Sequence, residues 1–317
     1  MTKFLRRCGV GACGMAFVGL AIAQAASGAP QAEDSAAGEL EIGTGFDIAS
    51  GKYGGSTRVD ELSVPLILRY KKGSLGYKLT VPYLRVAGPA DAVPLDSGSV
   101  ICKDSSGSGG GGNSGPGSSN SGRGSLDDCD DDGVPGSAAA SQRSTRSGLG
   151  DVQLEIAYEL PEFREGGPTL ELIGKVKLGT ASASKGLGTG KNSYSLQADA
   201  AQPFGNFSVL GGIGYRGNEK IAGAALKNTP FVALGGKWQF GDASSVKLVF
   251  DRRWPVEAGS VHAAELTATL EHEFGQAWRM EFYLLKGLTN ASADLGAGLV
   301  VARRFSALPP CAAADGM

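Results

Sequence analysis

The chain has 317 residues, a formal net charge of −2, 42% hydrophobic residues and 50 glycines. A balance this close to neutral gives no sign of nucleic-acid binding. Past the N-terminus, no stretch approaches the ~18 uninterrupted apolar residues of a spanning helix, which leaves a soluble exported protein or a β-barrel.

Lys3, Arg6 and Arg7 precede an uncharged, mostly apolar run over 8–23, and Ala21-Ile22-Ala23 and Ala23-Gln24-Ala25 both fit the small-x-small cleavage rule. Residues 1–25 read as a secretory signal peptide rather than an anchor helix, because the run is short and rich in small residues. Export brings Cys102, Cys129 and Cys311 into an oxidising compartment. There a Cys102–Cys129 disulfide would staple one loop, with Cys311 left over or pairing instead.

From residue 38 onward the pattern is alternation with period two, the signature of strands. The segments are 40–48, 62–70, 75–83, 149–160, 170–178, 194–200, 207–215, 230–240, 246–254, 264–274, 278–286 and 295–305. In 62–70, Leu62, Val64, Leu66, Leu68 and Tyr70 share one face; in 264–274, Ala264, Leu266, Ala268 and Leu270 alternate with Glu265, Thr267, Thr269 and Glu271. Each is about as long as a tilted strand that crosses a bilayer. The connections alternate as well. Short ones (71–74, 161–168, 203–206, 241–245, 275–277) interleave with long ones (49–58, 88–148, 180–193, 216–228, 255–261, 287–294). Transmembrane barrels show this rhythm of periplasmic turns and outside loops, and a sandwich has no reason for it. The expected fold is thus an all-β, antiparallel up-and-down barrel of about twelve strands over 26–305 of the mature chain, followed by a tail over 306–317.

The two faces fit that expectation. Tyr70, Tyr83, Phe207, Tyr215, Trp238, Phe240, Trp254, Phe274, Trp278 and Phe305 lie near strand ends, as interfacial girdles do. The opposite face carries Asp47, Arg69, Lys78, Asp151, Glu155, Glu171, Lys175, Lys177, Asp199, Lys247, Asp251, Arg253, Glu265, Glu271, Arg279 and Glu281. Closure of the sheet forces these into the lumen, where both signs are available to pair across strands. At this size a narrow, polar, partly obstructed pore is expected.

The insert over 88–148 is an outside loop, dominated by Gly and Ser over 104–126, a composition too poor in apolar surface to fold alone. Asp128, Asp130, Asp132 and Gly133 match the start of a calcium loop, but its twelfth position is Ala139 where a bidentate carboxylate belongs. A solvated acidic run is the plainer reading, with a calcium site at 128–133 as the alternative; no other cofactor is implied. Only His262 and His272 could serve a hydrolase, and His262 is followed by Ala263 and Ala264, without the H-x-S arrangement of the barrel phospholipase. Each reads as an interfacial histidine, so no enzyme is expected. The run Gly186-Leu187-Gly188-Thr189-Gly190-Lys191 lacks the spacing and the strand-to-helix setting of a phosphate loop.

Ser50-Gly51-Lys52-Tyr53-Gly54, Val64-Pro65, Val81-Pro82-Tyr83, Ser147-Gly148-Leu149-Gly150-Asp151 with Tyr158, and the 186–191 run recur in the order that resembles the outer-membrane proteins named for the phenol-degradation meta-cleavage pathway. The resemblance covers about 40–305 and implies a barrel that moves small, aromatic or hydrophobic molecules; it carries over no solute-binding residues. One departure is that Val300–Phe305 looks like the aromatic-ended last strand read by the barrel-assembly machinery, yet Ser306–Met317 follow. The long-chain fatty-acid transporter type fits less well, since it has an N-terminal plug and only about a dozen mature residues precede the first strand here. The expected function is passive passage of small solutes across the outer membrane, gated by outside loops, in contact with lipid and lipopolysaccharide. The alternative is a non-transporting structural or adhesion-type barrel that binds lipopolysaccharide or a partner through its loops.

Overall fold

The computed structural model describes residues 38–54, 57–89, 92–95, 100–102, 143–219, 227–255 and 261–306. The signal segment, the acidic run with Asp128, Asp130 and Asp132, Cys129, the Gly/Ser stretch and residues 307–317 lie outside them, as does the side chain of Cys102. The expected disulfide and calcium loop fall there too.

Strands form wherever apolar residues alternate: β1 (Glu39–Gly51), β2 (Val59–Lys72), β3 (Leu75–Gly88), β4 (Ala92–Pro94), β5 (Val100–Cys102), β6 (Ser144–Leu149), β7 (Val152–Glu159) and β8 (Thr169–Leu178). They continue as β9 (Ser193–Phe204), β10 (Phe207–Asn218), β11 (Thr229–Phe240), β12 (Ser244–Arg253), β13 (Ala263–Phe274), β14 (Trp278–Gly287) and β15 (Leu295–Ser306). From β1 to β3 and from β7 to β15 each strand pairs antiparallel with the next, β3 pairs with β7, and β1 pairs with both β2 and β15, so the sheet closes on itself. Because β6 and β7 both pair with β3, end to end, they are two halves of one strand, and the barrel has twelve strands. The small β4–β5 hairpin forms a separate two-stranded sheet.

The structure corrects the boundaries of the 88–148 loop and of the strand expected at 149–160. Pairing with β3 already starts at Ser144, and Gly150-Asp151 interrupts the strand as a bulge. Outward residues are odd-numbered in β6 (Thr145, Ser147, Leu149) and even-numbered in β7 (Leu154, Ile156, Tyr158), the slip of face that one extra residue causes. The bulge faces prolines. Pro65 and Pro82 sit opposite each other across β2 and β3, so this patch of wall lacks two amide donors; Gly150 N donates to Pro82 O at 2.8 Å.

At one end lie the two terminal strand ends and the five short turns, each of which carries a glycine at positive φ: Gly73 (56°), Gly166 (68°), Gly205 (63°), Gly241 (70°) and Gly275 (60°). The other end carries the long connections.

The burial pattern is inverted relative to a water-soluble protein. Leu196, Ile213 and Leu234 are 69%, 64% and 62% exposed, while Glu265, Arg279 and Asp199 are 1%, 2% and 2% exposed. An apolar outer surface this continuous belongs against hydrocarbon. All ten aromatics of the expected girdles are exposed on that surface. On β9, Tyr194 and Phe204 stand ten residues apart, which at ~3.3 Å per residue and ~40° tilt is about 25 Å, the height of a membrane band. Arg303, outward at the turn end, lies over the rings of Trp278 (5.6 Å) and Phe305 (5.0 Å), anchoring its charge at the interface.

Candidate functional site: the barrel interior

Alternation fixes which side chains enter the barrel, and pairing brings them together. On β1, Glu41 and Asp47 point inward while Leu40, Ile42, Phe46 and Ile48 point out. The sixteen charged residues expected in the lumen all lie on the inner side, most of them buried.

Toward the turn end and the waist they form ion-pair networks. Glu41 is the hub of the largest. Its Oε1 accepts from Arg69 Nη1 and from Arg279 Nη2 (2.9 Å), and its Oε2 lies 3.5 Å from Arg304 Nε. Arg304 also reaches Glu273 at 2.5 Å. Glu271 holds Lys237 at 2.9 Å and Lys247 at 3.4 Å. Lys78 meets Glu155 at 3.4 Å and Lys71 meets Glu159 at 2.9 Å. Nearer the loop end, Arg253 pairs with Asp251 (3.2 Å) and Glu265, and Tyr283 Oη donates to Asp47 Oδ1 at 2.9 Å. Glu171 differs from these: it neighbours Glu159 on one side and Asp199 on the other, and its buried Oε2 has no hydrogen-bond partner among the described residues. Asp199 takes both amide bonds of Gln197, at 2.8 and 2.9 Å. An apolar strip of Ala201, Leu210, Ala233 and Val249 completes the wall on β9–β12.

The mouth at the loop end is built differently. Val59, Leu84 and Val86 of the barrel pack with Ala92, Val100, Ala181 and Leu187 from the loops, and Tyr53 leans on them. The outside segments thus fold into the barrel and seal one side of its mouth with apolar side chains. Arg146, on the inner side of β6, ties them down: Nε donates to Gly186 O (3.2 Å), Nη1 to Pro89 O (2.9 Å) and Nη2 to Ala92 O. Asp151, buried at the bulge, accepts from Ala181 N (2.8 Å) and from Lys177 Nζ (2.5 Å).

Two motifs that stand 35 residues apart in sequence meet here. A Cβ on Gly148 would come within 2.9 Å of Leu187 Cδ1, and one on Gly188 within 2.9 Å of Asp151 Oδ2. Gly186 takes φ 63° to end the short 3₁₀ turn at 183–185. The glycine-rich 186–191 run is therefore a loop seat, which explains its composition without any phosphate.

Glu41, Lys237, Glu273, Arg304, Arg146 and Tyr283 were not among the expected lumen residues. Glu41 stands in a clean alternation, Leu40-Glu41-Ile42, that signals it; Arg146 carries no such signal, because its strand lies beyond the bulge. His272 points outward at the turn end, its Nδ1 2.7 Å from Ser244 Oγ and its ring on Phe274. No carboxylate is bonded to its other nitrogen among the described residues, and the pair faces the membrane boundary rather than a cavity. No group of three or more His, Cys, Asp or Glu among the described residues is disposed to hold a metal.

The fold is that of outer-membrane channels. Aligned structures include the COG4313 outer-membrane channel from Pseudomonas putida F1, over 85% of this chain and 95% of that one, with a TM-score of 0.56 and 12% identity. The KdgM porin aligns over 84% and 99% with a TM-score of 0.44 and 9% identity, and the CymD monoaromatic hydrocarbon channel over 84% and 88% with 0.39 and 10%. At 12% identity the first likeness is one of fold, and the two weaker ones carry no weight. No family profile matches the chain, and no curated protein does.

Proposed function

We propose that this chain is an outer-membrane channel through which small solutes, aromatic or hydrophobic ones among them, pass by diffusion, with the loop-end plug as its gate. The observation that carries the reading is the seating of Leu187, Ala181 and Ala92 inside the mouth, held by single side-chain latches at Arg146 and Asp151. A permanent wall is built of strands; this closure is built of loop segments, which can move without breaking the barrel. Below it, the ionic networks and the strip at Ala201, Leu210, Ala233 and Val249 give the path one charged and one apolar side. The resemblance to the phenol-degradation meta-pathway proteins supports the class of solute, and the fold shared with a Pseudomonas putida outer-membrane channel is consistent with passage through the barrel.

In this reading the short turns and both termini face the periplasm, the assembly machinery receives β15, and the interior supplies no catalytic or cofactor chemistry. The test is conductance of the purified barrel in planar bilayers together with uptake of small aromatic solutes into liposomes. Discrete current steps and solute entry are expected. Silence in both overturns the channel reading in favour of the non-transporting barrel, to which the packed interior lends weight: Leu210 and Arg279, on the inner wall, are only 1% and 2% exposed.

A further inference from the structure

On the side where β15, β1, β2 and β3 approach the loop end, a groove of about 390 Å³ opens on the lipid-facing surface. The strand register builds it from two rungs. The lower runs Ala297, Ile48, Leu62, Arg85, and the upper runs Leu295, Ser50, Asp60, Ala87. Three of these eight positions are Ala or Ser, so the surface sinks between the larger neighbours Ile48, Leu62 and Leu295.

The rim is charged, and the charges do not cancel. Arg58 pairs with Asp294 at 2.9 Å and donates to Ser50 Oγ at 2.9 Å; Ser50 Oγ in turn donates to Asp60 Oδ1 at 2.5 Å, and Arg143 pairs with Asp60. Both acids on the outward rim are thereby neutralised, and the third acid of the lining, Glu61, belongs to the inward-facing set of β2 with Val59 and Ser63. Two cations are left. Arg85 lines the groove, exposed, without an ion-pair partner among the described residues. Lys286, next to Leu295 across β14–β15, gives one bond to the Asp294 carbonyl at 3.1 Å. Arg85 stands two residues loopward of the interfacial Tyr83, about 7 Å along the strand, which sets it at headgroup depth. A guanidinium on a lipid-facing wall at that level is satisfied by phosphate, for which its fork geometry suits it. Four strand spacings separate Arg85 from Lys286, about 19 Å, too far for one phosphate to bridge.

We infer that this groove seats a bisphosphorylated glycolipid of the outer leaflet, with one acyl chain along Ile48, Leu62 and Ala297 and its separated phosphates toward Arg85 and Lys286. The inference rests on the outer-membrane placement proposed above, and not on transport. A phospholipid with one phosphate would leave one of the two cations unmet.

The test is native mass spectrometry of the full mature protein in detergent, titrated with bisphosphorylated lipid A, monophosphorylated lipid A and phosphatidylglycerol. One tightly retained bisphosphorylated lipid is expected. Arg85→Ser and Lys286→Ser should each weaken it about tenfold, and Ala297→Phe, which fills the groove with a side chain that lipid-facing walls tolerate, should weaken it comparably. Arg252→Ser, which removes an outward cation stacked on Trp254 elsewhere on the barrel, should leave binding unchanged. Equal retention of all three lipids, equal loss in the Arg252 variant, or no loss in the groove variants overturns the site. Cell fractionation separates the two readings: a protein found in the outer membrane that retains no lipid A sinks the groove alone, whereas one recovered soluble sinks the placement as well.

Discussion

The mouth and the waist of this barrel are both filled, but with opposite chemistry. The mouth is closed by apolar side chains from loops, Leu187 and Ala181 against Val86 and Leu84. The waist is filled by strand-borne charges meeting across the lumen, Glu41 with Arg69, Arg279 and Arg304. The hydrophobic contact is non-directional and can be left and regained by a swinging loop. The ion pairs are fixed to a closed sheet and lose heavily when one member goes. The difference assigns closure to the mouth and rigidity to the waist, and it can be broken from either side.

The largest effect is expected at the waist. Glu41→Gln removes the one carboxylate that all three guanidiniums, Arg69, Arg279 and Arg304, share. Loss of one partner of a buried ion cluster costs about 3–5 kcal/mol. The temperature at which the barrel loses its compact electrophoretic mobility should fall sharply, with the rate of channel opening little changed. A variant as stable as the parent would show the waist to be solvated, and its network ornamental.

Next comes the mouth. Leu187→Ala removes a 2% exposed side chain from the plug, a change worth about 2–4 kcal/mol. If the open state exposes Leu187, that whole sum acts on the closed state, and the closed-to-open ratio should drop by between about 30- and 1,000-fold. Single-channel dwell times read this directly. Unchanged dwell times would move the barrier from the mouth to the waist and reverse the comparison. Arg146→Lys is the gentler version. One ammonium cannot reproduce a fork that reaches Gly186, Pro89 and Ala92 together, and a loss of about 1–2 kcal/mol should shorten closures by roughly tenfold.

These residues differ in how openly the sequence announced them. The waist was legible: twelve alternating segments, with charges on one side and leucines on the other, define faces and hence the lumen. Glu41 and Lys237 follow from the same rule applied one strand further. Arg304 is harder, because Arg303 beside it points the other way onto Trp278, and only the pairing of β1 with β15 says which of the two enters the barrel. The mouth was legible only as motifs. Ser147–Asp151 and Gly186–Lys191 stand out as strings, but their contact, Leu187 over Gly148, is tertiary and has no local signature. The bulge at Gly150-Asp151 hid the start of β6 because an inserted residue swaps the faces, so the period-two pattern before it reads out of phase with the pattern after it. The β4–β5 hairpin hid for another reason: three-residue strands are too short to show a period.

The smallest effect expected is also the one that separates the two sides of the waist. On β13–β15 and β1–β2 nearly every charge has its opposite within reach, whereas on β7–β9 Glu159, Glu171 and Asp199 stand in a lateral row. Lys71 holds Glu159 and Gln197 holds Asp199, which leaves the Glu171 carboxylate for whatever passes. A unit charge ~4 Å away in water-like surroundings is worth ~1 kcal/mol, about fivefold in local cation concentration. Glu171→Gln keeps the volume and removes the charge. It should lower the cation-to-anion permeability ratio, read from the reversal potential in a salt gradient, by a factor of that order, and leave thermal stability and dwell times where they were. A shift in dwell times instead would mean that this row, and not the apolar plug, senses the gate. An unchanged reversal potential would mean that permeating ions keep to the side of Leu210 and Val249, and that the barrel's selectivity lies in its apolar wall.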